Sequence, residues 1–81
     1  MKKHPPIKIT QDGLSFLDYG YKKHKGFAVH NFIIILKELE DGNYHQFETI
    51  KNKTKLEDRI WNSCYVILRT KGYIEKEINT I

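Results

Sequence analysis

The chain is 81 residues long, 40% hydrophobic, 12% aromatic and 30% charged, with a net charge of +4. At roughly 100–200 residues per domain there is no room for a second core, and the mixture is too apolar for a disordered tail and too charged for a membrane protein. Cys64 is the single cysteine, so no internal disulfide forms and a reducing, cytoplasmic setting is expected.

No run reaches the roughly 18 apolar residues of a membrane span, and no membrane association is expected. Lys2 and Lys3 open the chain like the basic start of an export signal, but Pro5, Pro6, Lys8 and Gln11 interrupt the apolar stretch that should follow. Charge is unevenly spread. Residues 1–25 hold six lysines against two aspartates, residues 26–50 carry −3, and residues 51–81 carry +3. Two basic ends around an acidic middle suit a polyanion, whose neutralised phosphates release counterions; a lysine-rich solvated surface reads the same way.

In chain order, Ile7-Lys8-Ile9-Thr10 alternates as a strand over 7–10. Thr10 then caps a helix over 11–24 with Leu14, Leu17 and Tyr21 on one stripe, weakened by Gly20 and ending in Lys22-Lys23-His24-Lys25-Gly26. Residues 27–40 form the most apolar helix, with Val29, Phe32, Ile33, Leu36 and Leu39 at helical spacing and Asp41-Gly42 as its stop. A brief helix over 46–51 turns Phe47 and Ile50 inward, and Asn52-Lys53 ends it. Thr54-Lys55-Leu56-Glu57 has the form of a capping box opening a helix over 55–71. At about 100° per residue, Leu56, Ile60, Trp61, Cys64, Ile67 and Leu68 share an apolar arc of about 140°. Asp58, Arg59, Asn62, Ser63, Val66, Arg69 and Thr70 lie opposite, with Tyr65 at the border. Gly72 stops this helix before a strand over 73–78. The fold class expected is α+β, mostly α, with a small antiparallel sheet formed by the N-terminal and C-terminal strands.

Helix, short helix, tight turn, longer helix, glycine and strand make a helix-turn-helix followed by the start of a wing. The stretch Val66-Ile67-Leu68-Arg69-Thr70-Lys71-Gly72-Tyr73-Ile74-Glu75-Lys76 resembles the end of the recognition helix in winged-helix regulators of the MarR and PadR kind, matching at Leu68, Lys71, Gly72, Ile74 and Glu75-Lys76. The resemblance covers residues 27–78, and its motif is short and degenerate. In that family the wing's second strand leads through a T-x-x-G pattern into a further helix. Here that piece stands at the other end, as Ile7-Lys8-Ile9-Thr10-Gln11-Asp12-Gly13-Leu14. The chain therefore resembles a circularly permuted winged helix in which residues 7–10 pair with 73–78, satisfying two otherwise lone strand edges. The alternative is an unrelated strand–helix arm.

The resemblance implies one winged-helix domain over residues 1–81, a DNA-binding protein that regulates transcription with the recognition helix 55–71 in the major groove. Arg59 and Asn62 suit guanine and adenine edges respectively. Lys51, Lys53 and Lys55 suit phosphates, Ser63 and Arg69 share the outward side, and Lys2, Lys3 and Lys76 belong to the wing. Glu57 and Asp58 oppose this, because a carboxylate on the outward face repels phosphate. Double-stranded DNA is the partner expected, and regulators of this kind commonly dimerise to read two half-sites. The competing reading is a winged-helix protein–protein module without DNA binding, using the acidic middle and its Tyr and Trp edges.

No chemistry is expected beyond binding. Cys64 sits mid-arc without a cation to activate it. His4, His24, His30 and His45 lack metal-ligand spacing, so no metal or other cofactor is expected. Phosphate-loop, dinucleotide and nucleophile-elbow motifs are all missing, and no enzyme is expected. Trp61 belongs to the apolar arc, which argues for core packing over base stacking.

Overall fold

The structure is a computed structural model that describes residues 4–24 and 26–78. Its elements are β1 (Ile7–Ile9), α1 (Gln11–Asp18), α2 (Phe27–Lys37), α3 (Phe47–Thr54), α4 (Asp58–Thr70) and β2 (Ile74–Lys76), with a 3-10 turn over Gly20–Lys23. The class is α+β and mostly helical. β1 and β2 pair antiparallel, Ile7 opposite Lys76 and Ile9 opposite Ile74. The predicted pairing of residues 7–10 with 73–78 is therefore present, with both strands shorter than expected. Hydrogen bonds carry the ladder past them: Thr10 N–H donates to Tyr73 O at 3.0 Å and Glu77 N–H to Pro6 O at 2.8 Å. On its other side β1 meets His45, where Ile7 and His45 exchange two 2.8 Å backbone bonds. β1 is thus bonded on both edges, which removes the exposed edge a lone strand would present.

The junction of β1 and α1 explains the T-x-x-G pattern. The Thr10 hydroxyl accepts from Gly13 N–H at 3.1 Å, capping α1, and donates to the Gly72 carbonyl. A side chain on Gly13 would stand 2.3 Å from Tyr73 O and 2.6 Å from Ile9 Cγ1. Only glycine permits this approach of α1 to the turn between α4 and β2. Two segments some sixty residues apart in sequence are locked there through Thr10 and Gly72.

The core is built from Ile7 and Ile9 of β1, Phe16 of α1, Phe32, Ile35 and Leu36 of α2, then Leu39, Phe47 and Ile50, Trp61, Cys64 and Leu68 of α4, and Ile74. α2 packs against α1, α3 and α4. That central place fits a helix apolar on most sides.

Several boundaries differ from expectation. The helix expected over 11–24 stops at Asp18, and Gly20, a poor helix former, opens a 3-10 turn instead. In α1 the deeply buried side chain is Phe16, while Leu14, Leu17 and Tyr21 pack at its margin. The helix expected over 27–40 ends at Lys37. Beyond it the chain tightens through i→i+3 bonds, Glu38 to Ile35, Leu39 to Leu36 and Glu40 to Lys37, which rolls Leu39 into the core.

The largest correction lies between α3 and α4. The helix expected over 46–51 runs on to Thr54, and the recognition helix expected over 55–71 begins only at Asp58. No capping box forms. Thr54 is buried at the end of α3, where its hydroxyl donates back to Lys51 O at 2.8 Å. Lys55 takes the left-handed conformation (φ 58°, ψ 21°) and turns the chain. Glu57 precedes α4 in extended conformation with no side-chain cap. The result is a three-residue turn, Lys55-Leu56-Glu57, between the two helices. The strand expected over 73–78 is confined to Ile74–Lys76.

Candidate nucleic-acid interface

α4 buries Trp61, Cys64 and Leu68, which recur at helical spacing. The indole of Trp61 is fully enclosed, edge-on to Phe47 at 5.4 Å and stacked on Tyr65 at 5.9 Å. Among the described residues its Nε1 has no hydrogen-bond partner. A base-stacking role and a Trp edge for a partner are both excluded by that burial. The outward face carries Arg59, Asn62, Ser63, Val66 and Thr70, all exposed, with Val66 at 60% in its centre.

The predicted contacts separate into groups. Arg59, Asn62 and Ser63 share the outward face of α4, and Lys53 and Lys55 are exposed just before it, on α3 and in the turn. Among the described residues, these five have no side-chain hydrogen bond or ion pair within the chain. Lys51 is different. It is half-buried, and its Nζ lies 3.1 Å from Asp58 Oδ1, tying α3 to the first turn of α4. Its charge is matched within the chain, so a phosphate would have to displace Asp58 to reach it. Arg69 is also engaged. Its guanidinium donates to Tyr65 Oη at 3.5 Å and lies 6.0 Å from that ring, at the far end of α4 and turned toward the core margin. Lys76 is exposed on β2. Lys2, Lys3 and Lys25 lie outside the described residues.

The apolar arc of α4 is narrower than its sequence pattern. Ile60 and Ile67, expected inside, are each 39% exposed, and Leu56 sits half-buried in the turn. Ile60 and Ile67, with Ala28 and Asn31 of α2 and with Glu57, Arg59, Ser63 and Cys64, line an open groove of about 620 Å³. Sequence reasoning missed Ala28 and Asn31. The available signal was that Ile60 and Ile67 occupy the margin of the arc, next to Ser63.

Cys64 is buried, and burial raises its thiol pKa, as suits an inert packing residue. At the connection between α2 and α3, Asp41 accepts from Asn43 N–H and pairs with His45 Nε2 at 2.9 Å. The Asn43 backbone bond first, then His45, hold the Asp41 carboxyl below its ordinary value. Among the described residues no cluster of three or more His, Cys, Asp or Glu could hold a metal ion, and no helix is long and apolar enough to cross a membrane. No family model, curated protein or solved structure matches the chain.

Proposed function

We propose that the chain is a DNA-binding domain of winged-helix type in permuted order, which places α4 in the major groove of duplex DNA and serves transcription regulation. The observation that carries this reading is the pair Arg59 and Asn62. Both are exposed within the first two turns of a helix that follows a three-residue turn, and Lys53 and Lys55 stand just ahead of them. Recognition helices present that part of themselves to base edges. Arginine and asparagine are the side chains that bond guanine and adenine in two places at once. Val66 beside them suits a thymine methyl. The pairing of β1 with β2 and the lock of Thr10 with Gly13 and Gly72 support the permuted order, because they join the two motif halves that resemble the winged-helix family. Lys76 belongs to the wing in this reading. No catalytic step and no cofactor are part of it.

The test is duplex binding at low salt. Lys53→Ala weakens binding to any duplex and lowers the salt slope by about one unit. Arg59→Ala and Asn62→Ala each cost about 1–3 kcal/mol on a selected site and relax one position in it. Asp58→Asn releases Lys51 and removes a carboxylate from the helix start, so it strengthens binding and steepens the salt slope. A wild-type chain that binds no duplex at low salt ends the proposal. The exposed Ile60 and Ile67 favour the second reading, a protein-interaction module, which keeps its affinity in high salt.

A further inference from the structure

α4 has a third face, between its buried side and its polar side. At about 100° per residue, Ile60, Cys64, Ile67 and Lys71 fall within an arc of about 60°, with Glu57 just beside it. Ile60 and Ile67 are part-exposed there, and Cys64 floors the groove that Ala28 and Asn31 of α2 close on the far side. Among the described residues, Glu57 and Lys71 have no ion-pair partner within the chain. The stripe is therefore acidic at its start, apolar along its middle and basic at its end.

That order is self-complementary when reversed. A second α4 laid antiparallel across the first, about a midpoint at Ser63 and Cys64, sets Ile60 against Ile67 of the other copy and Glu57 against Lys71 of the other copy. Each contact is made twice, as a two-fold interface requires. A parallel alignment would instead set Glu57 against Glu57 and Lys71 against Lys71. We infer that this face is a homodimer interface, with a second copy of this chain seated antiparallel on α4, its Ile60 and Ile67 in the groove between α2 and α4. The charge order at the two ends selects this occupant over an arbitrary apolar partner.

The inference is independent of duplex binding, and it constrains it. Two packed helices have axes about 8–10 Å apart, whereas half-sites read in successive major grooves lie about 34 Å apart. A groove about 12 Å wide admits one helix and not a side-by-side pair. Self-association through this face and insertion of α4 into DNA therefore exclude one another.

One helix face covers less than the roughly 800 Å² per partner of a standard interface, so half-dimerisation is expected on the order of 0.1 mM. Sedimentation of the whole chain without DNA, from about 0.01 to 1 mM, reads the monomer–dimer equilibrium across that range. Ile60→Asp and Ile67→Asp, both at exposed positions, should each abolish the dimer while keeping the wild-type circular dichroism spectrum. Glu57→Lys or Lys71→Glu alone should weaken it about tenfold, since two attractions become two repulsions. The double exchange should restore it. A mass that stays at one chain throughout overturns the inference. So does a dimer that survives Ile60→Asp, or a double exchange no stronger than its single parents.

Discussion

Gly13→Ala places one methyl group where the fold leaves no space. The new carbon would lie 2.3 Å from Tyr73 O and 2.6 Å from Ile9 Cγ1, against about 3.4 Å for ordinary contact. A separation of about 1 Å must open, and neither neighbour is a flexible tip. Tyr73 O already accepts from Thr10 N–H at 3.0 Å, and Ile9 is in the core. Overpacking of this kind costs about 1–3 kcal/mol, and loosening the Thr10–Tyr73 bond adds about 1 kcal/mol. Alanine's better helix propensity returns about 1 kcal/mol. The net loss expected is about 1–3 kcal/mol, a large share of the stability of so small a domain. At roughly 4–8 °C per kcal/mol, the thermal midpoint should fall by about 4–24 °C. The control is Gly20→Ala, whose new carbon would find its nearest atoms at 3.5 Å and should leave the midpoint near that of the wild type. Thermal unfolding followed by circular dichroism reads both. If Gly13→Ala melts within about 3 °C of the wild type, the close approach of α1 to the α4–β2 turn is not a feature of the protein.

Trp61→Ala and Leu68→Ala remove fully buried side chains and should cost about 3–5 and 2–5 kcal/mol; urea midpoints near the wild type would put both residues outside the core. Lys55→Gly relieves a left-handed lysine, so it should raise stability by up to about 1 kcal/mol while weakening duplex binding, two readouts moving in opposite directions. Asp41 has a lowered pKa in the fold, so its stabilisation is present above its unfolded value near 3.8 and is lost as pH falls through the folded one. Asp41→Asn should therefore flatten the acid limb of stability against pH; an unchanged limb in the variant would show that the pair with His45 and Asn43 does not hold the connection.

The parts of the fold that were legible in sequence are those where one residue type answers one local demand. Ile7-Lys8-Ile9 alternates because Ile7 and Ile9 enter the core while Lys8 faces Glu75, 3.4 Å away. Thr10 was identifiable as a cap because few residue types serve there, whereas Gly13 stood out only through the resemblance, and its close approach to Tyr73 O is a tertiary feature. Thr54 misled because its sequence surroundings have the form of a capping box, while the distinction between ending α3 and opening α4 is made by its burial. The real turn residue, Lys55, carries no signal, since left-handed backbone is announced by glycine or asparagine and lysine adopts it only under tertiary constraint. In α2 the run Ile33-Ile34-Ile35 is apolar all round, so periodicity alone could not select Ile35 as the deeply buried one. On α4 the arc was drawn by residue type, and Ile60 and Ile67 were counted inside it; α2 reaches over only part of that arc, which a helical wheel does not contain.

This partial cover gives α4 three faces. Its core face is fixed by Trp61, Cys64 and Leu68 and allows little choice. Arg59, Asn62 and Val66 form the second face, exposed and unneeded for folding, since burial stabilises the domain elsewhere. Ile60 and Ile67 make the third, which costs solubility in a monomer unless something covers it. Lys51 and Asp58 join α3 to the polar side of α4, so under the proposed function the charge available to a duplex would depend on whether that pair is closed. A pair with one half-buried and one exposed partner contributes about 0–1 kcal/mol, little enough for a phosphate to replace the carboxylate. The proposed duplex binding through the second face would thus ask only for the opening of one weak ion pair, while the proposed dimer through the third would ask for a second copy at high concentration. If both proposals hold, the polar face should prevail at low concentration with DNA present, and the apolar face at high concentration without DNA.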